Sequence, residues 1–222
     1  AFTPHLRLLL KGGFGVRAAQ IHNDDARKVF ELLVGLTALA CFDSVDLESP
    51  VGSGNGQDSN PDLLIQYAGQ TYGIACKSIA TRSRYTLLDH IKKGIQQVER
   101  SGANTGFVFV DVSRCLDVKQ TWLAPEQNYW LPTFSEEIAS RFMWMATNEF
   151  ELESWSNEAR REFTGKKTLP CVVFFVDAVG LCLKEGRPVP TSYKCLWCRP
   201  FGDVAPGGRF LSEFNRALHI QL

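Results

Sequence analysis

Residues 60–78 read Asn-Pro-Asp-Leu-Leu-Ile-Gln-Tyr-Ala-Gly-Gln-Thr-Tyr-Gly-Ile-Ala-Cys-Lys-Ser and carry the clearest structural signal of the sequence. Its two ends, 62–67 and 72–78, are rich in residues that favour strands. The segment between them, Ala68-Gly69-Gln70-Thr71, is typical of a four-residue hairpin loop. The stretch therefore predicts a β-hairpin over residues 62–78.

The predicted hairpin places an acid and a base side by side. With residues 68–71 as the loop, Asp62 lies opposite Lys77 and Leu64 lies opposite Ala75. Because side chains alternate along a strand, these four side chains point to one face of the hairpin. The other face carries the apolar residues Leu63, Ile65, Ile74 and Cys76. We therefore expect that apolar face to meet the core and the opposite face to carry a polar site at the open end.

Apolar periodicity predicts the elements that surround the hairpin. In chain order they are a helix over 24–41, a strand over 42–47, the hairpin, a helix over 85–101, a strand over 106–112, a helix over 133–148, strands over 169–176 and 193–198, and a helix over 209–218. Up to residue 112 the order is thus helix, strand, hairpin, helix, strand.

The composition is that of an ordinary globular domain. The chain has 222 residues, of which 45% are apolar and 22% charged, and its formal net charge is zero. This length suits one sizeable domain. Since the net charge is zero, any nucleic-acid binding requires a local basic patch.

Cysteine usage and hydropathy bear on the compartment. The seven cysteines are an odd number and lie mostly in apolar runs, which fits a reducing compartment better than a disulfide framework. Residues 1–10 are interrupted by Pro4, His5 and Arg7, which disfavours a secretory signal. No apolar run approaches the roughly 20 residues that a membrane helix needs. We therefore expect a cytoplasmic protein that does not bind membranes.

Asn60-Pro61-Asp62, the hairpin and the run Gly73 to Lys77 resemble the PD-(D/E)XK nuclease superfamily, in particular its Mrr-like and RecB-like branches. The order of elements over residues 24–112, about half of the chain, is similar as well. The resemblance implies an α/β, restriction-endonuclease-like fold with a mixed central sheet flanked by helices. We also expect a division into an N-terminal arm (1–23), a PD-(D/E)XK-like core (24–117) and a C-terminal extension of the same domain (118–222), to which the resemblance assigns no role.

For function, the resemblance implies a metal-dependent endonuclease that hydrolyses phosphodiester bonds in DNA, with restriction or phage defence as its setting. It assigns Asp62 and the backbone carbonyl of Cys76 as ligands of Mg²⁺ or Mn²⁺. Such ions prefer hard oxygen ligands and lower the pKa of a bound water. Lys77 then orients that water or stabilises negative charge on the phosphate.

Two helices are expected to complete this site. By resemblance, Glu31 on the first helix joins the metal ligands, and Gln97 or Gln96 on the following helix orients Lys77 or the substrate. Gln96 and Gln97 are adjacent and point in different directions, so at most one of them faces the site. Considered alone, each glutamine is somewhat more consistent with a polar helix surface than with a site.

Ala75 departs from the family pattern, which has an acidic residue at this position. A methyl group binds no metal, so the site lacks one carboxylate. Three explanations stay open: the carboxylate has moved to Glu31 or Glu99, the domain binds nucleic acid without cutting it, or the residue was changed to inactivate the protein. Asp58 is a further acid in the preceding loop.

Basic residues follow the hairpin and continue on the next helix. Arg82, Arg84, Lys92 and Lys93 are candidates for contacts to nucleic-acid phosphates, and a solvated helix face is the competing interpretation. DNA is the expected partner, and cutting both strands suggests a homodimer. The alternative function is a non-catalytic module that binds nucleic acid or a protein through the same fold.

Cys195-Leu196-Trp197-Cys198 has the CxxC spacing of some zinc sites. A structural zinc ion needs four ligands, and the sequence offers no second close pair of cysteines and no cluster of histidines. The segment is therefore better interpreted as a strand that carries two ordinary thiols.

Overall fold

The computed structural model describes residues 23–47, 61–116, 131–184 and 187–219. The predictions for the arm over residues 1–22, for the loop that contains Asp58 and for residues 117–130 lie outside these ranges. Over the described residues, the chain forms six strands and five α-helices.

The helices are α1 (Asn23–Leu39), α2 (Arg84–Arg100), α3 (Leu131–Asn148), α4 (Ser156–Phe163) and α5 (Ala205–Leu218). The strands are β1 (Ser44–Leu47), β2 (Leu63–Tyr67), β3 (Gln70–Ser78), β4 (Thr105–Asp111), β5 (Thr168–Lys184) and β6 (Arg187–Pro200). A short 3₁₀ turn over Ser113–Cys115 follows β4. Each predicted helix and strand within the described ranges is present, and the bounds lie within four residues of the prediction for all of them except β5 and β6.

The six strands form one mixed sheet in the order β1-β2-β3-β4-β5-β6. Neighbours are antiparallel except for β3–β4 and β4–β5, which are parallel. Parallel neighbours need a crossover, and α2 provides the first one while α3 and α4 provide the second. The prediction of an α/β domain with a mixed central sheet flanked by helices is confirmed at this level.

The hairpin turn is two residues shorter than predicted. Ala68 and Gly69 both have positive φ, 51° and 76°, as a two-residue turn of type I′ requires. Consequently Tyr67 pairs with Gln70, and Ile65 pairs with Tyr72. The predicted four-residue loop was therefore wrong. The shift of register is two residues, so each side chain stays on the face that was predicted for it.

The two faces of the sheet are covered by different helices. One face packs against α1 and α5. The core between this face and the two helices is rich in aromatic rings, including a stacked pair of Phe42 and Phe210 with ring centroids 4.5 Å apart. The other face packs against α2, α3 and α4, with Phe142 stacked on Trp197 at 4.2 Å. Residues on β3, β4 and β5 alternate between these two cores, as a sheet buried on both faces requires.

Strands β5 and β6 are longer than the sequence predicted. The pairing of β5 with β4 ends at Phe175, whereas the pairing of β5 with β6 continues to Lys184 and Arg187. Beyond Phe175, strands β5 and β6 therefore pair only with each other in the described part of the sheet. Among the described helices, none is long and apolar enough to cross a membrane.

Candidate functional site

The corrected hairpin register places Asp62 beside Ala75. Leu63 pairs with Ile74, so Asp62, one residue earlier, lies opposite Ala75 and diagonal to Lys77. Ala75 is completely buried. The position that lacks a carboxylate is thus the direct neighbour of the acid that remains.

Asp62 is held by the backbone of β3. Its side chain is only 7% exposed, and its Oδ2 accepts a hydrogen bond of 2.6 Å from the backbone N–H of Cys76. The N–H and C=O of one strand residue point to the same neighbouring strand, so the carbonyl of Cys76 also faces the β2 side. The Cys76 thiol points into the opposite core, where burial raises its pKa well above the usual value.

Lys77 is buried beside this carboxylate. The residue is 7% exposed, and its Nζ lies 3.9 Å from Oδ2 of Asp62. It also donates a hydrogen bond to Oε1 of Gln97 on α2. Gln96 is exposed, so Gln97 is the member of this glutamine pair that faces the site.

A glycine allows α2 to approach the sheet closely enough for this contact. A Cβ on Gly94 would lie 2.8 Å from Cγ1 of Val108 and 3.4 Å from Cβ of Ala75. His90, Gly94 and Gln97 follow one another at four and three residues, so they share the face of α2 that meets β3. The helix therefore brings both Gln97 and His90 toward Lys77.

Glu31 reaches the site from α1. It is 1% exposed, and its oxygens contact Nε of Arg27 at 3.1 Å and Nζ of Lys28 at 2.5 Å. Burial is the main cause that raises the pKa of Glu31 to about 7, and the negative charge of Asp62 adds to it, against the two basic neighbours. The charge of Asp62 thus acts on the carboxylate of Glu31.

Glu99, the other proposed replacement for the missing acid, is engaged elsewhere. Its Oε1 accepts hydrogen bonds from the backbone N–H and the hydroxyl of Thr168, at 2.9 and 2.8 Å. Thr168 begins β5, at the opposite end of the parallel strands from Lys77. Glu99 therefore does not supply the site with a carboxylate.

The residues present do not fit a complete magnesium site. Among the described residues, no group of three or more histidine, cysteine, aspartate or glutamate side chains is arranged to hold a metal ion. Asp62 offers a carboxylate and Cys76 a carbonyl, but Glu31 is engaged by Arg27 and Lys28. A hard divalent cation lacks its second free carboxylate here.

The predicted basic rim consists of residues that are paired with carboxylates. The pairs join Arg82 to Glu149, Arg84 to Glu151, Lys92 to Glu158 and Glu162, and Lys93 to Asp89. These four basic residues are exposed or half-buried. Exposed ion pairs are weak, so a polyanion can compete for these four residues, but they are not free cations.

The CxxC segment lies on β6, as expected of a strand with two thiols. Cys195 and Cys198 are three residues apart, so their side chains point to opposite faces of the sheet. Cys195 is buried with the α2–α3–α4 core, while Cys198 is exposed and adjoins Cys171. The two sulfurs of this segment cannot meet at one zinc ion.

Three residues of the site were not identified from the sequence. Arg27 and Lys28 are placed by their spacing to Glu31 on α1, and His90 by its spacing of seven to Gln97 on α2. Helical spacing from a predicted site residue is the signal that could have found them.

No family model, no curated protein and no solved structure matches this chain. What the site can do is therefore inferred from its own residues.

Proposed function

We propose that this chain is a DNA-binding domain with a restriction-endonuclease-like core whose hydrolytic site is silenced at Ala75. The observation that carries the proposal is the convergence of Asp62, Lys77 and Gln97 from three elements, with Ala75 directly beside Asp62. This is the arrangement that the nuclease resemblance predicts, with one carboxylate missing. Restriction or phage defence is the setting that the resemblance suggests.

The residues present are suited to the phosphate of a nucleic acid. Lys77 is a buried cation whose position is fixed by Gln97 and by Asp62. A fixed cation in a site of low dielectric stabilises negative charge on a phosphate oxygen more than a solvated one does. Lys77 can therefore bind a phosphate and, in a complete site, stabilise the charge that develops on it.

Hydrolysis needs a metal-binding carboxylate at position 75, which this chain lacks. A bound Mg²⁺ would supply a water of lowered pKa as the nucleophile. Asp62 and the Cys76 carbonyl would hold such an ion, and a carboxylate at position 75 would complete the set beside Asp62. With alanine at that position, we expect DNA to bind without being cut.

Cleavage of a supercoiled plasmid with Mg²⁺ or Mn²⁺ tests this proposal. We expect the chain as it stands and Ala75→Gln to leave the plasmid intact, and Ala75→Glu to nick or linearise it. Glutamine matches glutamate in size, so it controls for the steric effect of a larger side chain. Adding Lys77→Ala to Ala75→Glu should abolish cleavage, as should EDTA.

Two results would contradict the proposal. A folded Ala75→Glu variant that binds the plasmid but never cuts it would show that position 75 is not the missing ligand. Cleavage by the unchanged chain, lost in Glu31→Gln, would show instead that Glu31 has taken over the role of the carboxylate.

A further inference from the structure

Two cysteines lie side by side near one edge of the central sheet. Cys171 is on β5, and Cys198 is on β6, the strand that forms one edge of the described sheet. In the register of these antiparallel strands, Cys171 pairs with Pro200 and Val173 pairs with Cys198. The two cysteines are therefore diagonal neighbours, and their side chains point to the same face of the sheet.

The hydrogen-bond pattern of the two strands brings side chains on this face close together. Opposite residues of antiparallel strands alternate between pairs that share hydrogen bonds and pairs that do not, and side chains approach more closely in the second kind. The backbone N–H of Phe201 donates to the carbonyl of Pro170 at 2.7 Å, so these two residues form a hydrogen-bonded pair. The next pair along the strands, Cys171 with Pro200, is thus of the closer kind, as is the pair that contains Cys198.

The two thiols differ in access to solvent. Cys171 is completely buried, whereas Cys198 is exposed. A hydrogen bond from the buried thiol to the sulfur of Cys198 lowers the pKa of Cys198 and, together with burial, raises that of Cys171. The thiolate is the nucleophilic form of cysteine, so the exposed Cys198 is the member of the pair that reacts first.

We propose that Cys198 is a site of reversible oxidation by hydroperoxides and that Cys171 is the thiol that closes a disulfide with it. An accessible thiolate beside a second thiol is the arrangement that peroxide-sensitive cysteines have in common. Strand β6 has a neighbour on one side only in the described sheet, so it can shift toward β5 as the bridge forms. The proposal goes beyond the proposed function and does not depend on it.

The reaction proceeds in two steps with hydrogen peroxide. The thiolate of Cys198 attacks one peroxide oxygen, the O–O bond breaks and hydroxide leaves, which gives a sulfenic acid on Cys198. The sulfur of Cys171 then attacks the sulfur of Cys198, the S–O bond breaks, and the proton of Cys171 leaves with the hydroxyl group as water. Together the two sulfurs lose the two electrons that reduce the peroxide.

Counting free thiols by intact mass tests the proposal. The folded chain is treated with hydrogen peroxide, then unfolded and labelled with N-ethylmaleimide. We expect the oxidised monomer to carry two labels fewer than the reduced protein, and dithiothreitol to restore both. Cys198→Ser and Cys171→Ala should each abolish this paired loss. Cys195→Ala is the matched control, because Cys195 is on the same strand with its side chain on the opposite face, and it should keep the loss.

A second measurement separates the two cysteines. The rate at which iodoacetamide alkylates Cys198 in the folded protein is followed against pH. We expect the midpoint of this profile to shift to higher pH in Cys171→Ala, because the hydrogen bond to the thiolate is lost. Cys195→Ala should leave the midpoint unchanged. Because Cys198 is exposed, this profile can be measured without denaturant.

Three results would overturn the inference. The first is no paired loss of thiols in the unchanged chain, and the second is a paired loss that persists in Cys198→Ser. The third is a dimer linked by disulfides, because it would show that Cys198 reacts with another molecule rather than with Cys171. A paired loss within the monomer that needs both Cys171 and Cys198 supports the inference.

Discussion

At the scale of single residues, the site depends on which charges are buried together. Glu31, Asp62 and Lys77 are each at most 7% exposed, so their charges are poorly solvated and act strongly on one another. Glu31 responds by binding its proton more tightly, because burial and the nearby charge of Asp62 both disfavour its ionised form. Such a carboxylate changes the stability of the protein across neutral pH.

The raised pKa of Glu31 predicts the sign of that change. The folded protein holds this proton up to a pH of about 7, whereas the unfolded chain loses it near 4.5. The contribution of Glu31 to stability is therefore full below pH 4.5 and is lost as the pH rises to 7. By linkage, the loss is at most about 3 kcal/mol.

Urea unfolding in EDTA at several pH values between 4.5 and 8 measures this effect. We expect the difference in unfolding free energy between the unchanged chain and Glu31→Gln to shift in favour of Glu31→Gln as the pH rises to 7. Asp111 and Asp177 also have pKa values raised by burial, and the comparison of the two proteins cancels their contribution. Parallel curves for the two proteins would show that Glu31 titrates normally.

At the scale of elements, the site depends on how closely β3, β4 and α2 pack. A Cβ on Gly106 of β4 would lie 2.1 Å from the backbone oxygen of Gly73 on β3 and 2.8 Å from Cγ1 of Val98 on α2. A backbone atom within the sheet cannot move aside as a flexible side chain can. The spacing that presents Ala75 and Lys77 to α2 therefore requires glycine at position 106.

Gly106→Ala is expected to destabilise the protein by about 3 kcal/mol or more, because it overpacks the junction of two strands and a helix. Gly102→Ala serves as the control, since nothing lies within 4 Å of a Cβ there, and should change stability by less than about 0.5 kcal/mol. The midpoints of urea unfolding of both variants measure the difference. Equal stabilities of Gly106→Ala and Gly102→Ala would contradict this prediction, because they would show that β3 and β4 can move apart at no cost in free energy.

The elements were predictable from the sequence, but their details were not. The turn at Ala68-Gly69 was missed because a two-residue turn needs positive φ at both positions, and alanine rarely adopts a positive φ. The apolar residues of helix α1 include Val29, Leu36 and Leu39, yet these three are 43–52% exposed. The helix carries apolar residues on several sides, so periodicity alone does not show which side is buried.

At the scale of the whole molecule, one sheet joins the hairpin site to the C-terminal part of the chain. Strand β4 pairs with β3 on one side and with β5 on the other, so β5 and the helices packed on it complete the core that supports the site. The sequence predicted the strands of this region but not their order, because sheet order depends on contacts between segments far apart in the chain.

The sequence predicted the part of the candidate site that depends on local structure, but not the part that depends on contacts between distant segments. Asp62, Lys77 and Gln97 meet as expected, because the hairpin and the helix fix them locally. The ion pairs that engage Arg82 and Arg84 join residues more than 60 positions apart, and no local pattern reveals them. The sequence therefore suggested basic residues that are free to contact phosphates, whereas the structure pairs each of them with a carboxylate.

In the proposed function, the residue at position 75 separates this site from a metal-binding one, and calorimetric titration with Mn²⁺ at pH 8 measures the effect of that residue. This pH lies above the pKa of about 7 of Glu31, so the proton of Glu31 competes little with the metal. We predict that Ala75→Glu binds one Mn²⁺ at least about tenfold more tightly than the unchanged chain and that Ala75→Gln does not. Equal affinities for the unchanged chain and a folded Ala75→Glu variant would contradict the account.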